Sequence, residues 1–175
     1  VLIYSQYISG GCIPIALALE EMGLTRYGGG RLFKDKTEGS MKGSYVMITG
    51  DNRISPNNAK EVNAATSEDN INGEIVKVII ISRAGSEGLD FKGIRQIHIL
   101  EPWYNTNRLE QIIGRAVRTC SHKNYPLKER NVEIRMYGTL LSNNKEAVDL
   151  YVYRMAERKA LRIGRVSRII KENAV

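Results

Sequence analysis

The sequence predicts an α/β domain, an open parallel sheet with helices on both faces. Three observations point to it. Short β-branched runs such as Val78 to Ile81 and Ile97 to Leu100, flanked by turn residues, read as strands buried on both faces of a parallel sheet. Strand and helix candidates alternate along the chain, the pattern that crossover connections produce. The 175 residues, 42% hydrophobic and 26% charged, suffice for one domain with a well-formed core.

In chain order, Val1 to Ser5 is the first strand, and the chain enters it without an initiator Met, as a piece of a longer protein would. Ile13 to Met22 is a largely buried helix, with Pro14 near its start and Gly23 closing it. Tyr27 to Ser44 is rich in glycine and lysine and reads as a loop. Its Gly28-Gly29-Gly30 is a poor phosphate cradle, because no G-x-x-x-x-G-K-[ST] pattern exists in the chain. Tyr45 to Thr49 is a strand ending in Gly50. Ser55-Pro56 fits an N-cap followed by proline at the first helical position, for a helix running to about Thr66.

After an Asn70 to Gly73 turn and the strand Val78 to Ile81 comes the small-residue turn Ser82 to Gly88. There Gly85 and Gly88 remove the Cβ atoms that would hold a ligand away from the backbone. Asn107 and Glu110 after the Ile97 strand form a candidate capping box. The helix that follows carries Gln111, Arg115 and Arg118 at spacings of four and three, putting an amide and two guanidinium groups on one face. Thr119 to Arg130 is a polar connection, Val132 to Tyr137 a strand, and Asn144 to Glu172 a long closing helix. In that helix Val148, Tyr151, Met155, Val166, Ile169 and Ile170 form a candidate docking stripe. Beside it runs a ridge of Arg154, Arg158, Arg162, Arg165 and Arg168, either solvated or aimed at phosphates or an acidic partner.

Lys and Arg outnumber Asp and Glu by 26 to 19, a net charge of +7, which favours a polyanionic partner. No apolar run is long enough for a membrane span, and no membrane partner is expected. Cys12 and Cys120 make no disulfide framework. Cys120 and His122 are two candidate metal ligands that nothing completes, so no metal site is expected in this chain. His98, inside an apolar strand, reads as a satisfied core histidine.

In open parallel sheets, ligands sit at the carboxyl ends of the strands. Here those ends carry Ser5-Gln6, Thr49-Gly50, Ser82 to Gly88 and Glu101-Pro102, whose hydroxyls, amides and backbone N–H groups suit phosphodiester oxygens. Asp90, beside the glycine turn, suits ribose hydroxyls better than phosphate. Arg115 and Arg118 offer rigid forks of positive charge for a polyphosphate. No nucleophile, base and orienting group come together for covalent catalysis.

These residues resemble a known family. Gln111-Ile112-Ile113-Gly114-Arg115-Ala116-Val117-Arg118 is similar to motif VI of superfamily 2 helicases, Ser82 to Asp90 to motif V, and Val1 to Gln6 to motif IV. Glu101-Pro102-Trp103-Tyr104-Asn105 resembles the matching segment of Swi/Snf-type remodelling ATPases, although Thr119 to Pro126 departs from that pattern. Asp69 to Glu74, with Ser86 to Asp90, resembles helicase-like NTPases of large DNA viruses, of the poxviral early transcription factor and nucleoside triphosphate phosphohydrolase type. The resemblance covers residues 1 to about 140.

It implies a RecA-like second lobe (1–143) of an ATP-dependent helicase or NTPase, with a long basic helix (144–175) packed on or extending from it. Arg118 then becomes the arginine finger, Arg115 a second γ-phosphate contact, and Gln111 a support for the nucleotide site. Gly85, Glu87, Gly88 and Asp90 line the ribose and phosphate edge. Ser5, Gln6, Thr49, Gly50, Ser82 and Arg83 grip the tracked strand, DNA or RNA. The resemblance further implies ATP with Mg2+ held mainly by an N-terminal RecA-like lobe, transcription machinery as a partner, and a host-cytoplasmic, virion or nuclear setting. A catalytically inactive nucleic-acid-binding module is the alternative.

Overall fold

The computed structural model describes residues 1–33, 39–83 and 88–174. Six strands form one sheet: β1 (Leu2–Tyr4), β2 (Thr25–Arg26), β3 (Ser44–Ile48), β4 (Val78–Ile81), β5 (Gln96–Ile99) and β6 (Glu133–Met136). Their order is β2-β3-β4-β1-β5-β6, and every pairing is parallel. This is an open RecA-like α/β sheet, as expected.

The strand period sorts the two faces. Leu2, Tyr4, Val46, Ile48, Ile79, Ile81, Ile97 and Ile99 point to one side, where they meet α2 (Asn58–Thr66), α3 (Thr106–Ala116) and the start of α4 (Val148–Glu172). Tyr45, Met47, Val78 and Ile80 point to the other, under α1 (Ile13–Glu21). β4 is buried along its whole length, but β5 alternates. The expectation of burial on both faces therefore fails for β5. His98 is half-buried, its Nδ1 2.6 Å from the Tyr137 hydroxyl. It is satisfied, but it lies outside the core.

Several local expectations shift. Nothing in the sequence marks β2, because Thr25–Arg26 carries no apolar signal. What holds Arg26 in place is Glu61 of α2, with Nε–Oε1 at 2.7 Å and Nη2–Oε2 at 3.3 Å, both side chains buried. Ser55 does not cap α2, which starts at Asn58. Its buried hydroxyl instead donates to the Met47 carbonyl at 2.5 Å. Asn107 does not cap α3, since that helix already begins at Thr106 after extended Asn105. The closing helix begins only at Val148, because Asn143 and Asn144 take left-handed backbone. The stripe proposed for it is also wrong. Val148, Tyr151, Val166, Ile169 and Ile170 are all more than half exposed, and the docked residues are Val152 and Ala156.

On the α1 face, the Tyr45 hydroxyl donates to Glu20 Oε1 at 2.7 Å. The same carboxylate accepts the Leu32 and Phe33 N–H groups at 2.9–3.1 Å, pinning the segment after β2. Burial first, then the bond to Glu20 and its charge, push the Tyr45 phenol far above its ordinary value. Burial, helped by the negative charge of Glu101, pushes the Cys12 thiol up to about 12.

Both groups keep their protons in the fold at pH values where the unfolded chain loses them. Stability is therefore fully present below the unfolded pKa and falls as pH rises above it. Unfolding midpoints in urea should hold up to about pH 9 and then fall, more steeply above about pH 10, by about 1.4 kcal/mol per pH unit for each group. Cys12→Ala should move the onset up towards pH 10. An unmoved onset contradicts the assignment.

Candidate functional site

The carboxyl ends of β1, β3, β4 and β5 open on one edge of the sheet, and the structure divides their residues into framework and surface. Ser5, Thr49 and Ser82 are buried. The Ser5 hydroxyl donates to Glu101 Oε1 at 2.5 Å and accepts the Tyr7 N–H at 3.1 Å, while the Gln6 N–H donates to Glu101 Oε2 at 3.1 Å. Gly11 packs against this knot, where an added Cβ would lie 1.8 Å from Ser5 Oγ. Thr49 Oγ1 lies 2.9 Å from Ser55 Oγ, and Ser82 donates to the Thr49 carbonyl at 2.7 Å. These three hydroxyls bind strand ends to one another, so their side chains shape the platform rather than reach out from it. Gly50, with φ of 74°, and Arg83 are exposed, and Gln6 is half-buried.

The second group lies where the segment before β5 meets α3. Arg115 Nη1 donates to the Leu89 carbonyl at 3.1 Å, and the Phe91 N–H donates to the Arg115 carbonyl at 3.3 Å. Phe91 is fully buried, so its anchorage fixes the turn that carries Gly88 and Asp90. Gly88, with φ of 73°, is exposed. Arg118 does not share a helical face with Arg115. α3 ends at Ala116, and Val117 (φ −103°, ψ 71°) swings the chain off the axis. Arg118 Nη1 then reaches Asp90 Oδ2 at 2.9 Å, with both side chains about half exposed.

Both residues line a cavity of about 140 Å3 with Lys92 and Lys123. That is well below the roughly 300–1,000 Å3 of a complete small-molecule pocket, so this cavity alone is too small for a whole drug-sized ligand. Gln111 is exposed on α3. An added Cβ on Gly114 would meet nothing within 4 Å. A helical glycine costs about 0.5–1 kcal/mol against alanine, and here packing gives no reason for it. Gly85 and Glu87 lie outside the described residues.

Sequence reasoning named Glu101 as a polar strand end but not as the carboxylate that ties β1 to β5, and it missed Arg108, whose guanidinium stacks 3.7 Å from the Trp103 ring centroid. An acidic residue directly after an apolar strand was the available signal for the first.

Spacing, strand order and the coupling of the Asp90 turn to the Arg115 helix can be compared with known proteins. The profile of the helicase conserved C-terminal domain matches residues 32–120. The chain belongs to that helicase C-terminal domain family.

Several of its relatives come from large DNA viruses. A protein of Invertebrate iridescent virus 3 named "Putative helicase 087L" is 31% identical over 98% of this chain and 18% of its own length. Two proteins of Acanthamoeba polyphaga mimivirus, each named "Putative ATP-dependent RNA helicase", are 36% identical over 70% of this chain and 30% identical over 91%. The match spans 16% and 30% of their lengths, so the chain corresponds to a minor part of each relative. In this helicase C-terminal domain the matched residues run from just after β2 to just past Arg118, and α4 lies outside them. Among the described residues no three His, Cys, Asp or Glu side chains group as a metal site. No described helix is long and apolar enough to cross a membrane.

Proposed function

We propose that this helicase C-terminal domain is the second motor lobe of an ATP-dependent nucleic-acid helicase or translocase. One observation carries the reading. Two guanidinium groups, Arg115 anchored on the Leu89 carbonyl and Arg118 resting on Asp90, stand at an open edge beside Gly114. Arg118 is the arginine finger, Arg115 a second γ-phosphate contact and Gln111 a support. Gly88 and Asp90, with Gly85 and Glu87, border ribose and phosphate.

Catalysis of phosphoryl transfer is mainly positioning and charge stabilisation, and forked cations on one side supply half of it. The other half, a phosphate loop and Mg2+, belongs to a first RecA-like lobe. ATP is then gripped between the two. The "ATP-dependent" in the relatives' names supports this.

The nucleic-acid track crosses the strand-end platform. Gln6, Gly50 and Arg83 touch the backbone, and buried Ser5, Thr49 and Ser82 hold them in place. Residues 1–143 make the lobe and 144–175 its basic extension. Viral transcription or DNA processing, in host cytoplasm, virion or nucleus, is the setting this reading takes, and the viral sources of the relatives support the viral part of it.

The test is ATPase activity of a polypeptide carrying both lobes, with single-stranded DNA, duplex DNA or RNA added. Stimulation by at least one of the three is expected. Nucleic-acid binding without any ATPase would overturn the motor reading in favour of a binding module.

A further inference from the structure

The carboxylate of Glu101 stands at the joint between β1 and β5, on an edge where its charge alone would oppose a polyanion. It is half-buried, and both of its oxygens are engaged. Oε1 accepts the Ser5 hydroxyl at 2.5 Å, and Oε2 accepts the Gln6 N–H at 3.1 Å. Gly11 closes on the same knot, where an added Cβ would lie 3.0 Å from Glu101 Oε1.

The bond at Oε2 takes up the one main-chain donor of Gln6, so that N–H is not offered to a phosphodiester. What Gln6 gives to a bound strand it gives through its side-chain amide. That amide is only as well placed as the main chain carrying it, and this main chain hangs on Glu101. Glu101 also opens the segment between β5 and α3, the helix that carries Arg115. One carboxylate therefore sets the end of β1 against the entry to the Arg115 helix.

We propose that Glu101 is a positioning residue for nucleic-acid binding. Its two hydrogen bonds hold the end of β1 so that the Gln6 amide meets the backbone of the tracked strand. This rests on the motor reading, in which Gln6 lies on the track. In such a role the reach of the carboxylate matters, while its charge works against binding. Two substitutions separate them. Glu101→Gln keeps the reach and removes the charge. Its carbonyl oxygen still accepts the Gln6 N–H, and its amide donates to Ser5 Oγ once the Ser5 hydroxyl turns to the Tyr7 carbonyl, 3.0 Å away. Glu101→Asp keeps the charge but draws it back by one methylene, out of reach of Ser5 and Gln6.

The test measures the affinity of fluorescent single-stranded DNA and RNA for a polypeptide carrying both lobes, with melting temperatures on the same preparations. Glu101→Asp should weaken binding about tenfold, the scale of a lost hydrogen bond to a charged group. Glu101→Gln should bind as tightly as the unaltered protein or more so, since a charge opposing the polyanion is gone. Gln6→Ala should also weaken binding about tenfold. Glu101→Asp added to it should cost little more, because residues that act through one another are not additive. A merely structural Glu101 would weaken binding equally with and without the Gln6 side chain, and that result overturns the proposal. So does unchanged or tighter binding by Glu101→Asp, or a loss in Glu101→Gln as large as in Glu101→Asp. Unchanged binding by Gln6→Ala overturns it even if Glu101→Asp does not fold. An unaltered protein that binds neither oligonucleotide overturns the track reading and this proposal with it, whereas binding with additive losses removes only the role of Glu101.

Discussion

Arg118→Ala, in a polypeptide carrying both lobes, should lower ATP turnover roughly 10³- to 10⁵-fold, the range seen when such a finger is removed. That corresponds to roughly 4–7 kcal/mol of transition-state stabilisation. Arg118→Lys should fail nearly as badly, because a point charge cannot reproduce a rigid bidentate fork. Neither change should disturb the fold. Arg118 pairs with Asp90 at a site where both side chains are about half exposed, and such surface pairs contribute about 0–1 kcal/mol. Turnover and thermal melting, measured on the same preparations, separate the two effects. Near-normal turnover in either variant removes Arg118 from the finger position.

The largest stability effect should come from the other end of the sheet. Arg26 and Glu61 form a two-point ion pair with side-chain exposures of only 5% and 1%. It ties the edge strand β2 to α2. Removing one partner strands a buried charge, so Arg26→Ala or Glu61→Ala should each cost about 3–5 kcal/mol. A domain has only about 5–15 kcal/mol in total, so either variant should be close to unfolded. Replacing both together, Arg26→Met with Glu61→Leu, should cost far less, since two apolar side chains leave no charge behind. Urea unfolding of the single and double variants decides it. A loss under about 1 kcal/mol in the single variants means that the pair does not clamp β2.

This pair also shows where sequence reasoning stops. β1, β3 and β4 are legible because a strand in the middle of a parallel sheet needs β-branched side chains on both faces. β2 is not, because its identity depends on a partner 35 positions away. The closing helix was legible as a helix, but its docked face was not. Apolar residues occur all round it, and period alone cannot say which of them the lobe buries.

At the candidate site, Arg115, Arg118 and Asp90 stood out by residue type and spacing, and the structure brings them to one edge. Regular helical spacing nevertheless put Arg118 one turn too far along α3, because the break at Val117 has no glycine or proline to announce it. The hydroxyls of Ser5, Thr49 and Ser82 were legible as polar strand ends. Whether they face outward depends on Glu101 and Ser55, which reach them only in the folded chain.

The central claim is that this lobe supplies one side of a two-sided nucleotide site, and the most direct measurement is ATPase of the 175-residue chain alone. A γ-phosphate must be held by a phosphate loop and magnesium on one side and by the finger on the other. Exposed arginines by themselves are screened by solvent and salt. The isolated chain should unfold cooperatively, bind ATP no more tightly than about millimolar, and hydrolyse none. A separately made first lobe with single-stranded nucleic acid should restore turnover that depends on Arg118. Arg118-dependent hydrolysis by the chain alone would contradict the two-lobe account.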